Sequence, residues 1–527
     1  MAIIVSQIKT TLDEPKENAV GKALAALGIK PGEAEARLYK SSVDARREIC
    51  FVHSVYVSLK DRARERRLAE KRQNVRLFEP GELTVSFGSV KPEGGIIVAG
   101  FGPAGMFCAL TLCEFGYKPV VLERGADMDS RVQAVEGYWN GGALDPATNV
   151  QFGEGGAGTF SDGKLTTRIN DPLCSRVLER FVEFGAPEDI LTSAKPHIGT
   201  DRLRGVVKNL RRRITELGGE VRFLSPLSGI TRGSGRITSV RVNGADMPCG
   251  ALALAVGHSA HDTFRMLLDS GIGLVPKPFS VGARIEHLQA DIDRALYGKY
   301  AGHPALPPAE YQLSYHEGGR GVYTFCMCPG GYVVASASAP GTVVTNGMSY
   351  YDRAGKNANS AVLVSVSPED FGGVPLGGAE FIQRLEQKAY QLGKGGRAPA
   401  ALTREFISGG SGFTLGRVEP TYSLGVEPAR LDELFPEFVT APMKNGLRYF
   451  DRRISGFSDS DSVLTAIETR SSSPVRLPRN EAGYSDCADN LFPCGEGCGY
   501  AGGIMSAAVD GIRTAMRIME RFAPPGD

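Results

Sequence analysis

The stretch GGIIVAGFGPAGMFCALTLCEFGYKPVVLERG, residues 94–125, decides the fold of this chain. The continuous apolar run Ile96–Ala99 is typical of a buried strand, and it leads directly into the glycine pattern Gly100-x-Gly102-x-x-Gly105. The apolar segment after the third glycine predicts a helix, and the next apolar run ends on Glu123. A glycine turn between a strand and a helix, followed by a strand that ends in an acid, predicts a dinucleotide-binding β-α-β unit.

Each residue type in this loop has a physical reason to be there. Gly100 permits the tight turn, Gly102 lets a pyrophosphate approach the backbone at the helix N-terminus, and Gly105 lets the helix and the strand pack closely. Glu123 is placed to accept hydrogen bonds from the ribose hydroxyls, and an acid there disfavours a 2′-phosphate. The residues assigned to the nucleotide on this basis are Gly100, Gly102, Pro103, Ala104, Gly105, Glu123 and Arg124.

A second stretch, FGEGGAGTFSDGKL at residues 152–165, repeats the spacing as Gly153-x-Gly155-x-x-Gly158. Its surroundings differ, because the preceding NVQF is short and starts with a polar residue, and the following TFSDGKL contains an Asp-Gly pair that favours a turn. We therefore expect no second dinucleotide fold here, but a glycine loop that lets a flat ligand approach the backbone. The ligand contacts assigned to it are Gly156, Gly158, Lys164 and Leu165.

Three motifs that lie far apart in the chain resemble one protein class. GFGPAG with VLERG, then ALALAVGHSA at 251–260, then CGEGCGYAGGIMSAAVDG at 494–511, look like FAD-dependent oxidoreductases of the glutathione-reductase-type fold. A closer resemblance is to the uncharacterised bacterial FAD-dependent dehydrogenases, also called NAD(FAD)-utilising dehydrogenases. It rests on phrases such as NVQFGEGGAGTFSDGKLTTR, FSVGARIEH and NGMSYYDRAGKNANSA, and it covers essentially the whole chain. The resemblance implies FAD as the cofactor.

The resemblance also implies cofactor contacts outside the first loop. Gly257 ends a strand where the backbone passes close to the cofactor, and Arg222 lies where such proteins contact adenine through the main chain. Glu496 matches an acidic position that meets the ribityl and pyrophosphate region. A helix beginning near Gly502 would aim its N-terminus at the flavin N1/C2 carbonyl edge and stabilise the negative charge of reduced flavin. The residues assigned in this way are Arg222, Gly257, Glu496, Gly502, Gly503 and Ile504.

The expected fold class is α/β. We expect a Rossmann-like FAD-binding domain with a discontinuous parallel sheet, an inserted β-rich α+β substrate domain and an N-terminal ferredoxin-like α+β module. The first four predicted elements, in the order β-α-β-β, indicate that module, and the first of its helices should end at Gly28. The expected boundaries are 1–92 for the module with a basic linker, 93–270 and 485–527 for the FAD-binding domain, and 271–484 for the substrate domain.

Several polar residues are candidates for the chemistry. Lys164, close to flavin N5 or the C4 carbonyl, would raise the electron affinity of the flavin, or it is a turn lysine after Asp-Gly. His197 could act as an acid or base, or it could be structural, and the same alternatives apply to His258. Arg284 and Glu286 lie on one face of a predicted strand, where they could bind a carboxylate or pair with each other. The residues assigned to the substrate are Arg284, Glu286, Asn346, Asn357 and Arg470.

The ten cysteines form no paired CxxC arrangement, so the sequence predicts no metal site. Cys326 and Cys328 alternate on a predicted strand, so both thiols should point to one side. Cys494 and Cys498 lie in the loop expected near the flavin, and the thiol of Cys498 could have a lowered pKa near a helix N-terminus. A disulfide relay to the flavin is one interpretation of these residues, and loop flexibility is the other.

Bulk properties narrow the function classes. The net charge of +1 gives no chain-wide attraction to nucleic acid or membranes, and no apolar run is long enough to span a bilayer. The start of the chain lacks the pattern of a signal peptide, so we expect a cytoplasmic protein. We predict an FAD-dependent oxidoreductase that transfers a hydride between an unidentified small molecule and FAD. Either NAD(P)H docks transiently on the flavin, or the substrate itself supplies the electrons.

A different class of function rests on the basic stretch DRARERRLAEKRQNVR, residues 61–76. This stretch and the N-terminal module could form the RNA platform of an RNA-modifying or RNA-binding flavoprotein. The stretch lacks the interleaved aromatic residues on which bases stack, which argues against this alternative. The other interpretation is a solvated helix or linker.

Overall fold

The computed structural model of the chain describes residues 2–79, 83–459 and 461–524. Its N-terminal unit contains β1 (Ala2–Thr10), α1 (Asn18–Leu27), β2 (Ala34–Asp44), β3 (Cys50–Leu59), α2 (Arg62–Lys71) and β4 (Val75–Phe78). The strands form one antiparallel sheet in the order β2-β3-β1-β4. Its first four elements follow the order read from the sequence, and α2 with β4 completes a β-α-β-β-α-β unit.

The local signals of this unit explain its two helices. α1 ends at Gly28, whose φ of 66° is the left-handed conformation that favours glycine at a helix end, as the sequence predicted. α2 begins after Asp61, whose carboxylate accepts the N–H groups of Ala63 and Arg64. Arg64 also donates to the Gly28 carbonyl at 3.2 Å, and Arg72 donates to the Ala26 carbonyl at 2.5 Å. These two basic side chains therefore have partners at the end of α1.

The second region runs from residue 95 to residue 269. Its elements are β5 (Gly95–Ala99), α3 (Pro103–Glu114), β6 (Val120–Leu122), α4 (Met128–Trp139), α5 (Leu173–Glu183), α6 (Thr200–Glu216), β7 (Glu220–Arg222), β8 (Leu227–Gly233), β9 (Arg236–Val242), β10 (Ala245–Leu254) and α7 (His261–Asp269). A 3₁₀ turn at Ala157–Phe160 follows the second glycine loop, and another lies at Glu188–Leu191.

The third region runs from residue 275 to residue 476. Its elements are β11 (Val275–Pro276), β12 (Phe279–Leu288), α8 (Gln289–Tyr297), β13 (Ser314–Glu317), β14 (Arg320–Cys328), β15 (Tyr332–Ala335), β16 (Thr345–Met348), β17 (Asn357–Val366), α9 (Gly377–Leu392), β18 (Ala398–Leu402), α10 (Thr403–Ser408), β19 (Val426–Pro428), α11 (Leu431–Leu434), α12 (Glu437–Arg453), β20 (Val463–Glu468) and β21 (Val475–Arg476). β22 (Leu491–Pro493) and α13 (Ile504–Arg521) follow it.

The sheet of the second region is mixed rather than wholly parallel. Its parallel part has the order β7-β6-β5-β10-β22, so the last strand of the chain pairs with β10. β10 is long, and its first half turns away to pair antiparallel with β9, which in turn pairs with β8. The predicted parallel sheet is therefore found for five strands, and an antiparallel extension is added to it.

Helices α3 and α13 bring distant parts of the sequence together over this sheet. A Cβ atom at Gly511 of α13 would overlap the Ala104 carbonyl of α3, so the two helices cross at a glycine. Met106 and Phe107 of α3 and Ile512 of α13 belong to one buried apolar cluster. This close crossing places the N-terminus of α13 beside the first glycine loop.

A seven-stranded sheet dominates the third region, in the order β13-β14-β17-β12-β20-β18-β19. All neighbouring strands are antiparallel except β18 and β19. β12 lies in the middle, and its first nine residues are all buried, among them the ionisable Arg284, Glu286 and His287. Because β12 lies at the centre of the sheet, the predicted substrate residues on it, Arg284 and Glu286, are buried.

The N-terminal unit packs against the third region and also touches the second. Leu12, Ile49 and Phe51 form an apolar cluster with Tyr297 and Leu306 and their neighbours. The edge strand β2 makes a short parallel bridge in which Ser41 N–H donates to the Thr192 carbonyl at 2.7 Å, and the Ala194 N–H donates to the Ser41 carbonyl at 2.9 Å. The unit is thus joined to both of the regions that form the cleft described next.

Candidate functional site

A cleft of about 1410 Å³ lies where the carboxyl ends of β5, β6 and β10 meet the N-terminus of α13 and one side of the third-region sheet. The ends of parallel strands are where α/β sheets bind nucleotides. One part of the cleft is lined by the two glycine loops, Glu123 and residues 255–260. The other part is lined by Lys164, Arg353 and residues of β14. We call these parts the cofactor chamber and the substrate chamber.

The first glycine loop forms the floor of the cofactor chamber. A Cβ at Gly100, where φ is 102°, would overlap the Ala255 carbonyl, and one at Gly105 would overlap the Gly100 carbonyl. Packing within the chain therefore requires glycine at both positions. Gly102 differs, because its Cβ would meet only the Gly156 Cα, at an ordinary distance of 3.7 Å. What a side chain at 102 would obstruct is the cleft itself, next to the uncapped N-terminus of α3.

Glu123 connects the two glycine loops. Its carboxylate accepts N–H groups from Phe101 at 2.8 Å, Gly125 at 2.9 Å and Gly153 at 2.9 Å. The carboxylate lines the cofactor chamber and Oε2 accepts only the first of these bonds, so it keeps acceptor capacity on that side. Beside it Arg124 donates to Asp262 Oδ1 at 2.8 Å.

The second glycine loop is held open by a buried arginine. Arg131 is fully buried and donates to the carbonyls of Asn149 at 3.0 Å, Val150 at 2.9 Å and Glu154 at 2.5 Å. Gly153 has a φ of 120°, and a Cβ there would overlap the Arg131 side chain. The first glycine of the pattern that imitates a dinucleotide loop is thus required by this arginine, and a Cβ at the second, Gly155, would overlap the Thr159 hydroxyl.

The same loop forms a wall between the first loop and α13. A Cβ at Gly156 would lie 3.0 Å from the Gly102 Cα, and one at Gly158 would lie 3.0 Å from Ile504 Cγ1. The second glycine loop is followed by a 3₁₀ turn instead of an α-helix. The structure describes all of residues 126–199, and none of them forms a strand. The loop therefore does not build a second β-α-β unit, as the sequence indicated.

The N-terminus of α13 opens into the cleft. Gly503 precedes the helix with a φ of 105°, and no side chain caps the helix. A Cβ at Gly502 would meet no atom within 4 Å, and the backbone there is not left-handed, so neither space nor backbone conformation requires glycine. Nothing in the surrounding chain requires glycine at Gly502 or Gly102, and both line the cleft. Two such cradles, each at a free helix N-terminus, fit the pyrophosphate and the ring end of a bound FAD.

Glu496 and His258 face each other in the cofactor chamber. Glu496 Oε1 lies 3.7 Å from His258 Nδ1, and the Gly503 N–H donates to the same carboxyl group. Burial raises the pKa of Glu496 to about 7, and burial together with the charge of Arg470 lowers the pKa of His258 to about 3. His258 is therefore neutral near pH 7, and Glu496 is poised between its charged and neutral forms.

This raised pKa predicts a pH-dependent stability of the flavin-free protein. A carboxyl group whose folded pKa of about 7 exceeds its usual value of 4.5 stabilises the fold when protonated, and that stabilisation is lost as the pH rises from 4.5 through 7. Glu496→Gln keeps the neutral form, so the variant should match the parent near pH 5 and exceed its free energy of unfolding by about 2 kcal/mol at pH 8, allowing for partial exposure. Urea unfolding at both pH values measures this. Equal stability of both proteins at pH 8 would contradict the raised pKa.

Lys164 lines the substrate chamber together with Arg353. Asp162 is fully buried between them, accepts two bonds from Arg353 at 3.2 and 2.6 Å, and lies 3.3 Å from Lys164 Nζ. Burial alone would lower the pKa of Lys164, but the negative charges of Asp162 and of the nearby Cys328 and Cys326 together outweigh it and raise the pKa. Lys164 Nζ has no hydrogen-bond partner among the residues that the structure describes. The cluster thus holds two cations and one carboxylate, so it carries one positive charge that Asp162 does not neutralise.

The predicted acid or base His197 does not line the cleft. Its Nε2 lies 2.9 Å from the Tyr351 carbonyl, and its ring stacks on the Tyr351 ring with centroids 5.4 Å apart. His197 pairs with Lys164 through a backbone bridge. Burial, and after it the charge of Arg353, lowers the pKa of His197, so the ring is neutral. His197 therefore lies outside the cleft, where it supports the backbone of Lys164 instead of having the predicted catalytic role.

The structure also corrects the predicted substrate residues. None of the five residues assigned to the substrate lines the cleft. These residues are Arg284, Glu286, Asn346, Asn357 and Arg470. Arg284 is fully buried and makes a two-pronged ion pair with Glu468 at 3.0 and 3.1 Å. The Asn346 side chain accepts a bond from Arg284 at 3.3 Å, so it belongs to the same cluster. These groups serve the interior of the sheet instead of a ligand.

The remaining two pairs have the same explanation. Glu286 accepts from Asn357 Nδ2 at 3.1 Å and from the Thr421 hydroxyl at 2.6 Å. Arg470 donates to Glu386 at 2.9 Å, and only 6% of its side chain is exposed. Both pairs satisfy buried polar groups within the third region.

Three predicted cofactor contacts lie outside the cleft lining. Arg222 points to solvent, where its side chain pairs with Glu220, and its carbonyl accepts the Glu123 N–H at 2.8 Å. Its role is to position Glu123. Leu165 is buried in the apolar cluster under α3. Gly105 is also outside the lining, in keeping with its predicted role in packing.

The loop cysteines do not have the lowered pKa that the sequence suggested. Cys498 Sγ donates to the Leu254 carbonyl at 3.2 Å, and burial raises the pKa of its thiol to about 12. Burial also raises the pKa of Cys494. Both are protonated and inert near neutral pH.

Some lining residues carry no motif and were missed in the sequence. Lys195 at the mouth of the cleft pairs with Glu310 at 2.5 Å, and Tyr323 of β14 donates to the Ser280 hydroxyl at 2.7 Å. Asp162 was passed over as part of an Asp-Gly turn. The presence of a carboxylate two residues before Lys164 was the one available signal for that ion pair.

The described ranges show no metal-binding group of histidine, cysteine and acidic residues, and no helix in them is long and apolar enough to cross a membrane.

Several solved structures are similar at a low level. "CtdE in complex with FAD" is 10% identical over 80% of this chain and 83% of that chain, with a TM-score of 0.32. A geranylgeranyl bacteriochlorophyll reductase-like protein from Thermoplasma acidophilum is 12% identical over 81% and 78%, with a TM-score of 0.36. L-amino acid deaminase from Proteus vulgaris is 9% identical over 84% and 94%, with a TM-score of 0.35. Scores this low decide nothing about this chain.

Similarity in sequence is decisive. The family model described as "FAD-dependent protein, C-terminal domain-like" matches residues 278–471, which hold the third-region sheet. An uncharacterised protein of Clostridium beijerinckii (strain ATCC 51743 / NCIMB 8052) is 45% identical over 535 residues, and the match covers 100% of both chains. The chain therefore belongs to the family of this C. beijerinckii protein, its residues 278–471 match the C-terminal-like domain of FAD-dependent proteins, and FAD is its cofactor, as the sequence predicted.

Proposed function

We propose that this protein is an FAD-dependent oxidoreductase in which a small molecule and FAD exchange a hydride. The observation that carries the proposal is the continuity of the cleft, which joins the cofactor chamber to a second, cationic chamber large enough for a substrate. The proposed division of the chain assigns residues 93–270 and 485–527 to FAD, and residues 271–484 to the substrate. The N-terminal residues 1–92 would support the cleft from outside.

The chemical character of the substrate chamber supports an anionic substrate with an apolar body. Lys164 and Arg353 supply positive charge, and Asp162 neutralises only one of them. Tyr323 and Phe325 of β14 supply apolar surface on the other side. A carboxylate bound beside the cluster of Lys164, Arg353 and Asp162 would meet its net positive charge, while its apolar part packs against β14.

The residues of the chain have defined tasks in this proposal. When bound, FAD supplies the redox chemistry. The free N–H groups at the start of α13 stabilise negative charge near them. Lys164 holds the substrate anion or the polar edge of the flavin, and Asp162 keeps that ammonium charged and in place. Because the walls of the chamber are formed by packed loops and a sheet, little water is left beside the reacting atoms once both ligands are in place.

The electron partner is proposed on the topology of the third region. Its large sheet is antiparallel except for the β18–β19 pair, and the described residues between 275 and 476 contain no β-α-β nucleotide unit. We propose that NAD(P)H, if it takes part, docks transiently over the flavin, and that otherwise the substrate supplies the electrons. An anaerobic screen of NADH, NADPH and metabolite pools for loss of the flavin absorption tests this. Failure of every reductant and metabolite fraction to bleach the bound flavin would count against the oxidoreductase proposal.

Lys164→Met should slow reduction of the flavin by the identified substrate by about 100-fold or more, which is typical for loss of one charged contact to a reacting group. FAD content should stay unchanged, because the first glycine loop and α13 are untouched. Stopped-flow measurement at saturating and limiting substrate separates binding from the chemical step.

A matched control for this variant is Lys394→Met, since Lys394 is 74% exposed and pairs with Glu427 away from the cleft. The control should reduce at the parental rate. Parental kinetics in Lys164→Met would remove this lysine from the site.

A further inference from the structure

We propose that Cys326 and Cys328 form a dithiol–disulfide pair that exchanges two electrons with the FAD bound in the cleft. The inference rests on the proposed function only in so far as the FAD lies in the cofactor chamber. It adds a second redox group to the site, next to the substrate chamber.

The backbone of β14 is deformed at these cysteines. Phe325 pairs with Ala361 of β17, but Cys328 pairs with Asn359, so β14 contains one extra residue at this point. Such a bulge redirects side chains and is common next to active sites. Cys326 has a φ of 47°, a left-handed conformation that a residue with a side chain adopts at a cost. The bulge makes Cys326 line the cleft, whereas Cys328 is fully buried behind it.

The Cys328 thiol contacts the backbone of Cys326, because it donates to the Cys326 carbonyl at 3.3 Å. Both cysteines are free. Because only one residue separates them and the Cys328 sulfur already lies against the Cys326 backbone, a disulfide can form with a local adjustment of the bulge.

Two cations surround the pair. Arg284 donates to the Cys326 carbonyl at 3.1 Å and is itself held by Glu468. Lys164, whose ammonium lies 3.3 Å from the Asp162 carboxylate, is the second cation. The hydrogen bond from Cys328, together with the charges of Lys164 and Arg284, outweighs burial and lowers the pKa of Cys326. The pKa of Cys328 is raised instead.

This asymmetry is what thiol–disulfide chemistry requires. The thiolate is the nucleophile, so Cys326, which lines the cleft, is the sulfur that reacts with a group placed there. Cys328 keeps its proton until Cys326 has reacted, and then closes the disulfide. The charge on Cys326 makes a minor contribution to the raised pKa of Glu496, which is due mainly to burial.

The exchange balances as follows. The S–H bond of Cys328 breaks, the Cys326 thiolate and the Cys328 sulfur join in one S–S bond, and the dithiol loses two electrons. The oxidised flavin takes up those two electrons and one proton and becomes the reduced anion. In the reverse direction the reduced flavin returns the two electrons and a proton, which restores the thiolate of Cys326 and the thiol of Cys328.

An anaerobic reductive titration of the oxidised holoprotein tests the pair. With dithionite the parent should take up about four electrons per FAD, and Cys326→Ser and Cys328→Ser should each take up about two, because a disulfide is a two-electron couple. Peptide mass mapping of samples from the same titration should show the segment with Cys326 and Cys328 linked at the start and heavier by two hydrogen atoms at the end. Cys174→Ser, a half-buried cysteine of α5 outside the cleft, should behave like the parent.

Uptake of about two electrons by the parent, with both cysteines free in the oxidised protein, would overturn the proposal. Iodoacetamide labelling of the parent after reduction and removal of the reductant adds a readout that needs no turnover, since Cys326 should then be alkylated well below pH 8 and faster than Cys174. Slow labelling of Cys326 in this range would also count against it. These results are separate from the metabolite screen, because dithionite reduces the protein whether or not its substrate is found.

Discussion

Gly102→Val should abolish retention of FAD and leave the protein folded. The Cβ position at Gly102 is open apart from the Gly156 Cα at 3.7 Å, so a side chain there disturbs the chain little. It does fill the space at the N-terminus of α3 where the pyrophosphate must contact free N–H groups. We expect at least a 100-fold loss of FAD affinity, about 3 kcal/mol or more. FAD content after dialysis and near-UV circular dichroism of the apoprotein measure the two effects.

Two other glycines provide the controls for this variant. Gly105→Val should fail to fold, because a Cβ there overlaps the Gly100 carbonyl. Gly205→Ala, in α6 with no atom within 4 Å of the added Cβ, should keep FAD and gain slightly in stability. If Gly102→Val bound FAD as tightly as the parent, the pyrophosphate would not lie at the start of α3.

Glu468→Ala should destabilise the protein by about 3–5 kcal/mol. Glu468 is the carboxylate partner of Arg284, whose side chain is fully buried at the centre of the third-region sheet. Without Glu468 the guanidinium keeps its charge but only neutral partners, among them Asn359 and the Cys326 carbonyl. The free energy of unfolding from urea titration of the holoprotein and the apoprotein measures the loss.

An exposed ion pair serves as the control for this loss. Glu380→Ala removes the partner of Arg265, and both side chains are about half exposed, so the change should stay within about 0.5 kcal/mol. A small effect of Glu468→Ala, comparable with that of Glu380→Ala, would show that Arg284 does not depend on the buried carboxylate.

The first glycine loop was predictable because its residues answer to local rules. A strand, a tight turn, a helix and an acid at fixed spacing define a nucleotide site without reference to the rest of the chain. The second loop showed the same spacing, but its glycines accommodate Arg131 and the first loop. Only the flanking sequence, which lacks a helix start after Gly158, distinguished the two.

The substrate residues were not predictable from pattern. Arg284 and Glu286 share one face of β12, as their spacing indicated, but β12 is the central strand of its sheet. A polar residue on such a strand points into packed protein, so it needs a buried partner instead of a ligand. Their partners Glu468 and Thr421 lie far along the chain, so the local sequence around β12 does not predict these pairs.

The pair Cys326 and Cys328 is a second case in which sequence periodicity did not predict where the side chains lie. Regular alternation predicted that both thiols of β14 point the same way. The bulge changes this, because the extra residue at Cys326 makes one thiol line the cleft and leaves the other buried behind it. A bulge depends on the pairing with β17, so the sequence of β14 alone does not reveal it.

The central claim is that one FAD lies in the cofactor chamber of each chain. The most direct measurement is the visible spectrum of the purified protein, with release and identification of the bound flavin and titration of flavin-free protein with FAD. The purified protein should be yellow, absorb at about 450 nm as oxidised flavins do, and bind one FAD per chain. Colourless protein that does not regain this absorption after incubation with FAD would contradict it.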